Sequence, residues 1–99
     1  MKVVFTPTAR RQIEAQLAYL VDRSATRAAE RLRNRITSFV TGFLVRYPRA
    51  SRFIAERNLF ETWIPRTPYV VLYRVDDNDA TLTVLALFHG AQDRSQFTR

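Results

Sequence analysis

Ninety-nine residues suffice for one domain, residues 1–99, and a chain 46% hydrophobic and 12% aromatic can bury a core without a disulfide or metal staple. The absence of cysteine excludes a disulfide framework, a thiol nucleophile and a thiolate metal site. Sixteen basic residues against nine acidic ones leave a net charge of +7, and all but Lys2 of the sixteen are arginine, so acidic partners are expected, whether nucleic acid or an acidic protein segment.

Residues 2–6 alternate weakly and read as a short strand. This N-terminus is too short in apolar length for a signal peptide, and no apolar run approaches the roughly 18 residues that span a bilayer. A cytoplasmic protein with no membrane partner is expected. Thr6-Pro7 reads as a helix start, a hydroxyl to cap followed by proline at the first helical position. Ala9, Ile13, Leu17 and Leu20 then share one helical face. Asp22-Arg23-Ser24 breaks the helix, and Ser24 stands where it can cap the next. Ala29, Leu32, Ile36, Phe39, Val40 and Phe43 keep a three/four rhythm until Tyr47-Pro48, where proline disfavours helix in the residue before it. The two helices form an αα-hairpin. Arg27, Arg31 and Arg35, with Arg23 before them, repeat every four residues along the second helix, where like charges disfavour the helix. The stripe reads either as a docking face for an acidic partner or as a solvated face partly neutralised by Glu30.

Residues 49–58 form a polar, basic connection. Residues 59–64, 69–75 and 80–88 read as three strands, the last two joined by the acidic turn Asp76-Asp77-Asn78-Asp79. The strand at 69–75 is apolar on nearly both faces, which suits the centre of a sheet. The order β-α-α-β-β-β predicts an α+β domain, with a helical hairpin packed on one face of a small twisted antiparallel sheet.

No metal site is expected from one histidine and no cysteine, and the aspartates of the acidic turn lack the spaced oxygens and distal glutamate of a calcium loop. With only Gly42 and Gly90 there is no phosphate loop, and no cofactor is expected. His89, the first polar residue after the last strand, has two readings. It is a general base near neutrality, or it bonds the backbone and fixes the turn into Gly90. Trp63 reads as core or interface packing.

Several segments in order resemble the ParE/RelE superfamily of toxins from bacterial toxin–antitoxin pairs. They are Thr6-Pro7-Thr8-Ala9, Tyr19-Leu20, Ala28-Ala29, Tyr47-Pro48, the run from Pro65 through Val75, and Leu87-Phe88-His89-Gly90-Ala91-Gln92-Asp93. The Pro-Tyr followed by Tyr-Arg-Val, and the later His-Gly-Ala-Gln, look like the ParE branch. The resemblance implies a toxin that inhibits growth by binding and poisoning DNA gyrase, neutralised by a cognate ParD-like antitoxin with an acidic C-terminal segment. Direct nucleic-acid binding is then not its main role. The alternative is a RelE-like, ribosome-dependent messenger RNA endoribonuclease. Against that alternative, the places where RelE-like proteins keep catalytic residues fall on Val70, Gly90, Ala91 and Phe97. A phosphodiester cleavage site needs groups that activate a hydroxyl and stabilise phosphate charge. A frequent Arg-Glu-Leu of ParE-like proteins reads Phe60-Glu61-Thr62 here, leaving Arg57 or Arg66 to supply that charge. The resemblance and the charge pattern together assign Arg27, Arg31, Arg35 and Trp63 to the antitoxin. They assign Arg66, Arg74, His89, Arg94 and Phe97 to the target, with no catalytic residue. Arg74 also has a structural reading, as a partner of Asp76 or Asp79.

Overall fold

The computed structural model describes residues 1–91. Strand β1 (Lys2–Phe5) leads into helix α1 (Pro7–Asp22), and α2 (Thr26–Ser38) returns beside it. The chain then forms β2 (Arg52–Ile54), β3 (Leu59–Trp63), β4 (Tyr69–Asp76) and β5 (Thr81–His89). These strands make one sheet in the order β1-β5-β4-β3-β2. The α+β architecture and helical hairpin agree with expectation, and β4 lies at the centre, as its two apolar faces require. The sheet differs in two respects from the all-antiparallel one expected. It is mixed, because β1 lies parallel to β5, with Val3 opposite Leu82 and Phe5 opposite Val84. It also gains β2, three residues of the polar connection paired antiparallel with β3.

The start and the stop of α1 both have local causes. The Thr6 hydroxyl accepts the Ala9 N–H at 3.1 Å and donates to the Leu85 carbonyl at 2.9 Å, so one side chain caps α1 and ties it to β5. Leu85 is the extra residue of β5 where the register with β4 shifts, Leu72 facing Ala86 while Tyr73 faces Val84. Gln12 Oε1 accepts the Leu87 N–H at 2.8 Å on the same stretch. Backbone groups near the irregularity therefore find partners on α1. At the other end of α1 the Ala25 N–H reaches the Leu20 carbonyl and the Ser24 N–H that of Val21. Ser24 takes φ 59°, the left-handed conformation that closes such a helix end. Ser24 therefore ends α1 instead of capping α2, whose cap position is Ala25 with no side-chain bond.

Helix α2 continues without a break into a π-helical stretch, Phe39–Leu44. Within it the Thr41 hydroxyl bonds back to the Thr37 carbonyl at 2.6 Å, a contact that loosens the helical ladder. The wider turn changes which residues face inward. Val40 and Leu44 are buried, whereas Phe43, expected on the inner face, is exposed. The main core joins Ala9, Ile13, Leu17, Ala29, Leu32 and Ile36 to Tyr69, Val71 and Tyr73 of β4 and Leu82, Val84 and Leu87 of β5. A second cluster, Ile54, Leu59, Val70, Leu72, Ala86 and Phe88, occupies the opposite face of the sheet. Among the described residues no helix is long and apolar enough to cross a membrane.

Candidate functional site

The αα-hairpin and the turn between β3 and β4 enclose a groove of about 380 Å³, lined by Leu20, Ala28, Arg31, Leu32, Arg35, Arg66, Thr67, Pro68 and Tyr69. The i, i+4 spacing puts Arg31 and Arg35 on one side of α2, while Leu32 turns toward the core. Arg66 comes from the opposite wall. Its turn is held by Thr67, whose N–H and hydroxyl both donate to the Ile64 carbonyl at 3.2 and 2.8 Å, while its Oγ1 accepts the Tyr69 N–H at 3.1 Å. Arg66 itself sits at φ 62°, a conformation costly for a side chain with a Cβ, so the turn geometry is set by its neighbours.

Tyr69 contributes to the floor. Its ring is buried, its hydroxyl donates to Gln16 Oε1 at 2.9 Å, and His89 lies edge-on at 5.8 Å. Burial, and secondarily the nearby Tyr19 hydroxyl, push the Tyr69 phenol above its ordinary value, so it stays neutral. Among the described residues Arg31, Arg35 and Arg66 form no ion pair. The contrast is a depression of about 350 Å³ on the other side of α2, lined in part by Phe5, Arg33 and Ile36. There Arg33 lies 3.4 Å from Glu14, which offsets its charge. The groove thus combines three unneutralised guanidinium groups with an apolar floor, an arrangement suited to carboxylates flanking an apolar side chain.

The structure draws the sequence-assigned residues together differently from the sequence. Arg31 and Arg35, assigned to the antitoxin, share one groove with Arg66, assigned to the target. Arg27 is exposed on α2 and does not line it. Trp63 is half exposed, with its indole lying over Gly90, where a Cβ would come within 2.0 Å of Cη2. Arg74 pairs with neither Asp76 nor Asp79. It donates to the carbonyls of Asn58 at 2.9 Å and Arg57 at 3.1 Å, closing the turn in which Asn58 adopts φ 52°. Asp76 instead accepts the Asn78 and Asp79 N–H groups across the acidic turn. His89 accepts the Ala91 N–H through Nδ1 at 3.1 Å, the turn-fixing contact. Arg94 and Phe97, like Gln92 and Asp93, lie outside the described residues. Tyr69 and Leu20 line the groove although by sequence neither had a site role, both being placed only on apolar faces and in the segments that carry the family resemblance.

Where the Arg-Glu-Leu pattern places arginine, Phe60 is buried between Phe53 and Tyr73, at 4.9 and 5.2 Å between ring centroids. Val70 has no exposed surface, and Gly90 is covered by the Trp63 indole. No group of three metal-ligating side chains occurs among the described residues.

Several solved structures resemble this one, among them two from toxin–antitoxin systems. A chain of the chromosomal ParDE toxin–antitoxin system from P. aeruginosa superimposes with a TM-score of 0.73 at 16% identity, over 90% of this chain and 95% of that one. A chain of the toxin–antitoxin complex RelBE2 from Mycobacterium tuberculosis gives a TM-score of 0.60 at 30% identity, over 89% and 95%. No curated protein sequence matches this chain. Residues 3–94 match the family described as the ParE toxin of the type II toxin–antitoxin system parDE, and the chain belongs to that family of toxins.

Proposed function

We propose that this protein inhibits growth by binding and poisoning DNA gyrase, and that a cognate ParD-like antitoxin silences it by laying an acidic C-terminal segment in the arginine groove. The groove is the observation that carries this reading. Its three arginines converge from α2 and the β3–β4 turn onto Leu20, Leu32 and Tyr69. An antitoxin segment with carboxylates around an apolar anchor can order itself there, its burial and charge-assisted hydrogen bonds offsetting the entropy lost. The description of both structural relatives as toxin–antitoxin systems supports such a partner. Gyrase is the target that the sequence resemblance implies, and the packing supports action by binding. At positions where RelE-like toxins keep catalytic groups, Val70 is fully buried and Gly90 lies against the Trp63 indole with no side chain, so neither offers a group to activate a hydroxyl.

The second reading is a ribosome-dependent endoribonuclease, favoured by the 30% identity to the RelBE2 chain. Induced expression, with and without the antitoxin, separates the two when plasmid supercoiling and transcript integrity are followed together. Loss of supercoiling with intact transcripts is expected, and growth should recover on co-expression of the antitoxin. Early transcript cleavage at normal supercoiling would establish the endoribonuclease instead.

A further inference from the structure

The groove continues onto α1. Gln12, Gln16, Tyr19 and Arg23 follow one another there at spacings of four, three and four, and so share one stripe of the helix, with Arg23 at its C-terminal cap. Gln12 and Gln16 are tied to β5 and β4, through the Leu87 N–H and the Tyr69 hydroxyl. Tyr19 and Arg23 prolong the stripe beyond them. Tyr19 precedes Leu20, which lines the groove, and its hydroxyl is near that of Tyr69 on the groove floor. The Tyr19 ring is 54% exposed, and the Arg23 guanidinium lies over it at 4.9 Å from the centroid. Arg23 is exposed and, among the described residues, forms no ion pair. A guanidinium resting on a ring has fewer rotamers left to lose, so its planar donors pair with a carboxylate at a smaller entropic cost.

We infer that Tyr19 and Arg23 are the specificity element of the groove: they read a carboxylate beside the apolar anchor of the bound acidic segment, on the side that faces α1. The inference rests on the groove as the antitoxin's docking site and adds what selects among acidic segments. Continuity and charge name the occupant. Arg31 and Arg35 come from α2, Arg66 from the β3–β4 turn and Arg23 from the end of α1, so a segment anchored on Leu20 and Tyr69 meets cations from three elements. The apolar floor favours a protein segment over a phosphate backbone, which brings charge without an apolar side chain to bury. A net charge of +7 opposes a second copy of the chain. The α2 arginines reward negative charge in general, whereas Arg23 is held in one place by the Tyr19 ring. A segment with glutamine opposite it forgoes that charge-assisted bond, and the loss is the discrimination.

The test uses the full chain and three fluorescein-labelled peptides built around a single leucine, followed by anisotropy. One has glutamates on both sides of the leucine; in the others the glutamates of the N-terminal or of the C-terminal side are replaced by glutamine. Arg23→Gln should weaken the fully acidic peptide about fivefold, and hardly affect the half-acidic peptide that lacks the carboxylate facing α1. Tyr19→Ala should act like Arg23→Gln, while Tyr19→Phe, which keeps the ring beneath the guanidinium, should bind like the parent chain. Arg31→Ala, Arg35→Ala and Arg66→Ala together should weaken all three peptides. The inference is overturned if Arg23→Gln changes no affinity or weakens all three peptides equally, or if Tyr19→Phe is as damaging as Tyr19→Ala. In those cases the triple variant shows separately whether the groove reading stands. Both fall if the parent chain binds none of the peptides. Displacement of the fully acidic peptide by a lower concentration of oligothymidylate, or an Arg23-dependent dimer of the chain, would also overturn the inference.

Discussion

Near its middle, α2 lends Arg31 and Arg35 to a groove whose floor is apolar; beyond Ser38 the same rod, widened to π geometry, turns Phe43 outward against Tyr47. In the groove, charge lines the walls and apolar contact lies beneath. Beyond it, aromatic rings are presented directly, Phe43 and Tyr47 each about half exposed. The difference has a local origin. Regular 3.6-residue turns keep Leu32 and Ile36 inward and the arginines aside, whereas the π stretch rotates Phe43 out of register with the core. One helix thereby presents two surfaces of different chemistry.

The largest effect that would break this comparison is expected at Tyr73, which buttresses the segment after Tyr47 from inside. It is fully buried, stacks on Phe60 and bonds Pro48 and Ser51. Tyr73→Ala should cost about 3–5 kcal/mol, as truncation of a buried aromatic does, measured by urea unfolding. Tyr73→Phe should cost about 1 kcal/mol, the net worth of the hydroxyl bonds. Burial raises the Tyr73 phenol above 10.0, with the bond to Ser51 opposing this. The unfolded chain therefore loses this proton first, and the stability the phenol contributes is intact below pH 10.0 and lost as pH rises above it. Tyr73→Phe should flatten that alkaline fall. A variant equally steep there would show that Tyr73 is not its source.

A smaller effect sharpens the groove side. Gly90→Ala places a methyl where the Trp63 indole lies, so the indole must swing away, at about 1–3 kcal/mol by analogy with overpacked sites. Trp63 is the only tryptophan, so its emission should shift to the red as the ring enters water. Unchanged emission would mean that the indole does not rest on Gly90.

Much of the scaffold was legible locally. Ala9, Ile13 and Leu17, then Ala29, Leu32 and Ile36, are buried as their spacing predicts, because helical periodicity is a property of short windows. The doubly apolar run at 69–75 announced the central strand. Pairing was less visible. Nothing in residues 2–6 specifies a parallel partner in β5, and three residues of β2 are too few for a period to register. Ser24 misled because serine suits a helix start as well as, in the left-handed conformation, a helix end. The arginines of α2 were visible as a stripe, yet their meeting with Arg66 is tertiary, set by the Thr67-locked turn. The outward turn of Phe43 escaped because a π step leaves the apolar rhythm readable while shifting the face it marks.

The smallest change in folding carries the most direct test. Arg31→Ala, Arg35→Ala and Arg66→Ala together remove exposed or half-exposed side chains that form no ion pair among the described residues, so stability should change by no more than about 0.5 kcal/mol per site. Titrating the purified triple variant with the antitoxin's C-terminal segment, by calorimetry at low and high salt, measures what the groove contributes. The account predicts at least about a tenfold loss of affinity, and a shallower salt dependence than in the parent chain. Parent-like affinity and salt dependence in the triple variant would contradict it.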